Sequence, residues 1–167
     1  MGVVAPYILA IVVAWLMAHV IKYTIAGVRH QKLDFTHQLF ISGGMPSSHA
    51  ATSVSVWSLI LLIDGPNSAV FGLATLVVLI VCYDAVKVRR SVGEQGEAIQ
   101  ALIRESKKDI PLPRAARGHT PLEVVAGAVL GVIVGLVVFI ATKSSINTLD
   151  SVGKLRYDGL SLVAGKR

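Results

Sequence analysis

The sequence predicts an all-α integral membrane protein: a bundle of about four transmembrane helices plus a short re-entrant or interfacial helix. Composition is the first reason. Hydrophobic residues make up 53% of the 167 and charged residues only 16%, where a soluble domain carries about a quarter charged. Mean hydropathy is +0.66. The second reason is four apolar stretches near the ~20 residues a spanning helix needs. The third is punctuation, because turn and helix-start residues stand between those stretches.

The first stretch is Val3 to Ile21, closed by Lys22. No basic leader or cleavage site precedes it, so Met1 onward reads as a retained span. The second runs from Pro46 to Ile63 and is polar at its start. Asp64-Gly65-Pro66-Asn67 is a turn signal, making the second and third spans an antiparallel hairpin. The third is Ala69 to Val86, ending at Lys87, and the fourth is Pro121 to Ala141. Residues 1–142 are expected to form one membrane domain. The tail, 143–167, reads as disordered or interfacial.

Two polar stretches lie between spans. Lys22 to His49 contains an apolar piece, Phe35 to Met45, suited to a re-entrant or interfacial helix. Lys87 to Gly118 is strongly basic. There Val92, Ile99, Leu102 and Ile103 share a helical face that suits a membrane surface, and Ile110-Pro-Leu-Pro113 stops the helix. Alternation of spans puts both basic stretches on one side, which the positive-inside rule makes cytoplasmic. Five basic residues in the tail argue the other way.

Net charge is +6. A basic excess on a membrane chain suits anionic headgroups or phosphate. Nucleic acid is not an expected partner, because no soluble basic domain is present to carry it. The single cysteine, Cys82, excludes an internal disulfide and a cysteine metal site.

Alternating spans bring Lys22, Ser47-Ser48-His49, Arg89-Arg90 and His119 to one membrane face. Two helix N-termini on that face offer unpaired N–H groups and positive dipole ends to an anion. Each piece also has an ordinary reading. Pro46-Ser47-Ser48 suits a plain helix start, but leaves His49 and the Gly43-Gly44 pair unexplained. Lys22, Arg29, Arg89 and Arg90 suit snorkelling anchors. His119 and Glu123, four apart, allow the carboxylate to fix the imidazole tautomer. The ordinary reading of Glu123 is a helix-start acid. Asp84 lies inside the third span, where a carboxylate needs a partner; Arg89, Lys87 and Lys22 are the candidates. Gly127, Gly131 and Gly135 form a small-residue ridge for close packing, inside one chain or across a homodimer.

Taken together, these pieces resemble the type-2 phosphatidic acid phosphatase and vanadium haloperoxidase superfamily. That superfamily carries Lys-x6-Arg-Pro, Pro-Ser-Gly-His and Ser-Arg-x5-His-x3-Asp, in that order. Here stand Lys22-x6-Arg29, Pro46-Ser47-Ser48-His49 and His119-x3-Glu123. The chain looks most like the small divergent branch of bacterial and plastid membranes, where "GGMPSSHA", "YDA" followed by "VRR", and "GHTPLEV" recur. It departs from the superfamily pattern at His30, Ser48 and Glu123, and no Ser-Arg precedes His119 at the expected spacing.

The resemblance implies a metal-independent hydrolase of a lipid phosphate or pyrophosphate, with no cofactor. His119 would be the nucleophile, Glu123 its orienting acid and His49 the general acid and base. Lys22, Arg29 and one of Arg89, Arg90, Arg114 or Arg117 would bind phosphate, helped by Gly44, Ser47 and Ser48. Three other readings remain: a non-catalytic lipid-phosphate binder or scaffold, a vanadate-dependent oxidant enzyme, and a small transporter using Asp84.

Overall fold

The computed structural model describes residues 5–28, 44–106, 109–113, 115 and 118–164, with backbone only for 144–164. The regular structure described is helical. Helix α1 is Ala5–Val28, α2 Ser48–Asp64 and α3 Ala69–Tyr83. A single π turn, Asp84–Val88, leads without a break into α4, Arg89–Ser106. Helix α5 is Pro121–Ala164.

Three helical runs are long and apolar enough to cross a membrane: Ala5–Val28, Ala69–Ser106 and Pro121–Lys143. The second expected span is shorter. Helix α2 has 17 residues, about 26 Å at 1.5 Å per residue, against a hydrocarbon core of about 30 Å. It is bounded by the Ser47 cap and by Gly65, whose φ of 79° ends the helix. Gly65-Pro66-Asn67 turns as expected, and Ser68 caps α3 by accepting the Phe71 N–H at 3.1 Å.

Helix ends differ from expectation in three places. Helix α1 continues past Ile21 to Val28, so Lys22 lies inside the helix rather than at its end. The third span does not stop at Lys87; nothing in 87–106 breaks a helix until the Pro111 and Pro113 region. Beyond Thr142 the backbone of α5 stays helical to Ala164. Apart from Gly44 and Met45, the proposed re-entrant piece at 35–45 lies outside the described residues.

Helix α2 is the centre of the bundle and packs on α5, α1 and α3. Small residues make this possible. Ala10, Ala14 and Ala18 of α1 are fully buried, and the Ser55 hydroxyl of α2 reaches the Ala10 carbonyl at 3.3 Å. On the other side, Gly127, Gly131 and Gly135 of α5 lie against the Ser47, Ala51 and Ser55 carbonyls of α2. Of the two uses read for that ridge, packing within the chain is the one occupied here. The register shows α2 and α5 running parallel, both starting at the same face.

The outward surface is apolar. Helix α3 has no buried residue, and Leu73, Leu79 and Ile80 are more than half exposed. Such a surface suits lipid, and some of the polar groups inside are paired between helices. Trp57 Nε1 donates to Thr75 Oγ1 at 2.9 Å. At the far end of the bundle the Tyr7 hydroxyl reaches Asp64 Oδ2 at 3.3 Å, tying the start of α1 to the end of α2. The chain is thus an all-helical membrane protein in which the segments carrying Lys22, His49, Arg89 and His119 come together beside the start of α2.

Candidate active site

His119 immediately precedes α5. Its backbone N–H donates to the Ala85 carbonyl at 3.0 Å, which docks the 118–120 segment against the π turn. Gly118 is required for that approach: a Cβ there would stand 2.4 Å from the Arg90 backbone nitrogen. Thr120 caps α5 and Glu123 completes a capping box. Thr120 Oγ1 accepts the Glu123 N–H at 3.3 Å, and Glu123 Oε2 accepts the Thr120 N–H at 3.0 Å.

The same Glu123 oxygen lies 3.1 Å from His119 Nδ1. The ordinary capping role and the orienting role are therefore compatible; one carboxylate oxygen performs both. A carboxylate only accepts, so Nδ1 carries the proton and Nε2 is left with a lone pair. Nε2 is buried and has no hydrogen-bond partner among the described residues. His119 is only 1% exposed. Burial pushes its pKa down, the Glu123 hydrogen bond and charge oppose that, and the nearby Lys22 and Arg89 cations push it further down. The net direction is below the ordinary histidine value, so the imidazole is neutral near pH 7.

His49 sits in the first turn of α2, with its ring 6.3 Å from that of His119, centroid to centroid, edge to face at 61°. Two contacts lock this juxtaposition. The Ser47 N–H donates to the Glu123 carbonyl at 2.9 Å, and Gly127 lets the two helix starts meet. Ser47 is fully buried, and its Oγ accepts the Ala50 N–H at 3.4 Å as the helix cap. Its N–H, expected to bind phosphate, is thus committed to Glu123, which corrects that expectation and makes Ser47 structural. The remaining donors of this helix end are the N–H groups of Ser48 and His49. Gly44 is exposed just before it, with φ of 83°.

Lys22 on α1 is partly buried and its charge reaches Glu123, His49 and His119. Arg89 also acts on both histidines. Its Nε is 2.6 Å from Asp84 Oδ2, leaving the four N–H bonds of its two terminal nitrogens. The π turn explains this pair. Residues five apart fall on different faces of an α-helix, but one i→i+5 turn superposes them. Asp84 therefore has Arg89 as its partner, one of the three candidates. Arg90 instead pairs with Glu94 at 3.1 Å. It lines, with Gly118, His119 and Glu97, a cavity of about 300 Å³. Arg29, Arg114 and Arg117 lie outside the described residues.

The sequence reading missed two features. His19, one turn before Lys22, is buried and its Nδ1 lies 2.8 Å from the Trp15 carbonyl; nothing in its neighbours signalled this. The Ala10, Ala14 and Ala18 ridge on α1 had a readable signal, the four-residue spacing of small side chains.

Comparison with known proteins bears on this geometry. The model of the divergent PAP2 family matches residues 4–134. The membrane protein YuiD of Bacillus subtilis (strain 168) is 31% identical over 145 residues, covering 78% of this chain and 91% of that protein. No solved structure matches the chain. The family match spans α1, α2, α3 and the His119–Glu123 segment, so it includes every described residue of the histidine cluster, and the chain belongs to the divergent PAP2 family.

Proposed function

We propose that this protein hydrolyses a lipid phosphate or pyrophosphate through a phosphohistidine, without a metal. The observation that carries the proposal is His119: buried, held by Glu123 at Nδ1, and presenting an unpartnered Nε2 beside His49. An unpartnered nitrogen inside a protein is costly, and a nucleophile needs this lone pair. The residues take the following roles. Nε2 of His119 attacks phosphorus and the P–O bond to the lipid breaks. His49 gives its proton to the leaving oxygen, then takes one from the water that cleaves the P–N bond. Glu123 keeps the tautomer fixed, as the acid of a catalytic triad does. Lys22 and Arg89 stabilise charge on the phosphoryl oxygens, helped by the α2 N-terminus and by Arg29, with Asp84 orienting Arg89.

In this reading the chemistry lies where α1, α2, α3 and α5 come together, a level that suits a phosphate whose tail lies in lipid. That face is assigned to the cytoplasmic side of a bacterial inner or plastid membrane by the excess of Lys and Arg between spans.

The test is phosphate release by purified protein in detergent, without metal, from phosphatidic acid, phosphatidylglycerol phosphate and polyprenyl pyrophosphate. His49→Ala and His119→Ala should each lose turnover while remaining folded. Lipid binding without release across the panel would favour the non-catalytic binder instead.

A further inference from the structure

The π turn at Asp84–Val88 interrupts a helix that has no local reason to be interrupted. The turn contains neither proline nor glycine, and the chain is α-helical on both sides of it. Single π turns are rare and concentrate at functional sites. This one has a specific effect on the hydrogen-bond ladder. In an α-helix the Arg89 N–H would donate to the Ala85 carbonyl, four residues back. Here it donates to the Asp84 carbonyl, five back. The Ala85 carbonyl is released from that bond, and Ala85 is buried. A buried carbonyl needs a donor. The His119 N–H fills the place at 3.0 Å.

His119 precedes the Thr120 cap, so its N–H lies outside the ladder of α5. Its side chain and its main chain are thus held by different groups. Glu123 acts on the ring at Nδ1 and fixes tautomer and rotation. The Ala85 carbonyl acts on the main chain and fixes the point from which Nε2 reaches out. The same turn also sets Asp84 on Arg89, but the two consequences are separable. Deleting Val88 shortens the Asp84 to Arg89 spacing from five residues to four. Residues four apart are neighbours on an ordinary α-helix, so the ion pair survives. The Arg90 N–H then falls four residues after Ala85 and closes its carbonyl in the usual way. The Arg89 geometry is kept and the His119 anchor is lost.

We propose that the π turn is a positioning element of the active site, whose extra residue frees the Ala85 carbonyl to hold the His119 main chain. Ala85 is the positioning residue, acting through its backbone. The proposal rests on the hydrolase reading for its effect on rate, but not for the docking itself.

Two readouts on the full chain in detergent test it. The first is hydrogen exchange of the His119 amide. In wild type it should be protected relative to the amide of the exposed Ile110. Deletion of Val88 should speed it by about tenfold or more. Gly118→Ala should do the same from the other side, because its Cβ would stand 2.4 Å from the Arg90 backbone nitrogen. Val88→Ala keeps the turn and should leave exchange unchanged. The second readout is kcat and KM for phosphatidic acid, phosphatidylglycerol phosphate and polyprenyl pyrophosphate. The deletion and Gly118→Ala should each lower kcat by about 100-fold, the cost of a misplacement of about 1 Å, with KM little changed because Arg89 stays in place. Val88→Ala should match wild type in both constants. An unprotected His119 amide in wild type overturns the proposal whether or not the variants fold. So does a folded deletion variant with wild-type kcat, or one in which KM rises while kcat holds. Exchange that responds as expected, in a protein that releases phosphate from none of the three lipids, upholds the docking and counts against hydrolysis alone.

Discussion

Replacing Gly127 with alanine should push apart the two helix starts that carry the histidine pair. A Cβ at this position would lie 2.4 Å from the Ser47 carbonyl oxygen and 3.1 Å from the Ala50 Cβ. Ordinary contact begins near 3.4 Å, so α2 and α5 must separate by 1.0 Å, the difference of 3.4 and 2.4 Å. The obstacle is backbone and cannot rotate away. The same Ser47 carbonyl accepts the Ala51 N–H at 3.0 Å, and the Ser47 N–H is bonded to Glu123, so the displacement carries the first turn of α2 with it. A misplacement of about 1 Å can cost on the order of 100-fold in rate. Stability should change much less. Overpacking costs about 1–3 kcal/mol, and alanine returns about 1 kcal/mol of helix propensity. Gly135→Ala is the control. Its Cβ would lie 2.8 Å from the Ser55 oxygen, about 12 Å further along the helix. Phosphate release and thermal unfolding are measured for both variants in detergent. Gly127→Ala should lose about two orders of magnitude in kcat/KM while Gly135→Ala, with a similar change in Tm, loses little. A folded Gly127→Ala protein with wild-type kcat/KM would refute the reasoning.

Further outcomes follow from the same geometry. Activity should rise with pH as His119 deprotonates, with its limb below the ordinary histidine value of about 6.5. Glu123→Gln removes influences that raise that pKa, so the limb should move lower still while kcat falls by about 100-fold or more through loss of the tautomer; a limb that moves up contradicts the assignment. Stability should respond in the matching sense. A depressed folded pKa means that the unfolded chain binds the extra proton, so His119 destabilises the fold as pH drops below about 6.5 and down through the folded value. Unfolding followed in detergent across that range reads this, and His119→Gln should flatten it. Asp84→Asn should cost no more than about 1 kcal/mol, because the ion pair is about 40% exposed on both sides, yet raise KM by freeing Arg89; an unchanged KM would separate Arg89 from phosphate. Ser58→Ala should be neutral or raise Tm, since the Ser58 hydroxyl is buried without a partner among the described residues; a marked fall in Tm would show a partner outside them.

The sequence exposed the bundle because its signals were local. Apolar runs, the Gly65-Pro66 turn and the start at Pro121 all act through neighbouring residues; the turn and the Pro121 start stand where they were expected, and the first and third runs extend further. The meeting of His49 and His119 at one face followed from alternation alone. The role of Glu123 as both cap and imidazole partner was half legible, because the four-residue spacing supports either use and only the shared oxygen joins them. Three features were not legible. The π turn at 84–88 carries no composition signal, yet it sets Asp84 on Arg89. The bond from the Ser47 N–H to Glu123 depends on how α2 and α5 dock, a contact between residues 76 apart in the chain. The continuation of α1 through Lys22 was hidden because a lysine after an apolar run ordinarily marks a span's end.

Acid–base and phosphoryl chemistry at His119 can be tested directly by trapping. The protein is mixed briefly with a lipid phosphate carrying labelled phosphorus, quenched in alkali and digested. The account predicts label on the peptide containing His119, stable to base and released by acid. It should be absent from His119→Ala. Phosphate release by wild type with no label on that peptide, or turnover persisting in folded His119→Ala protein, would contradict the account.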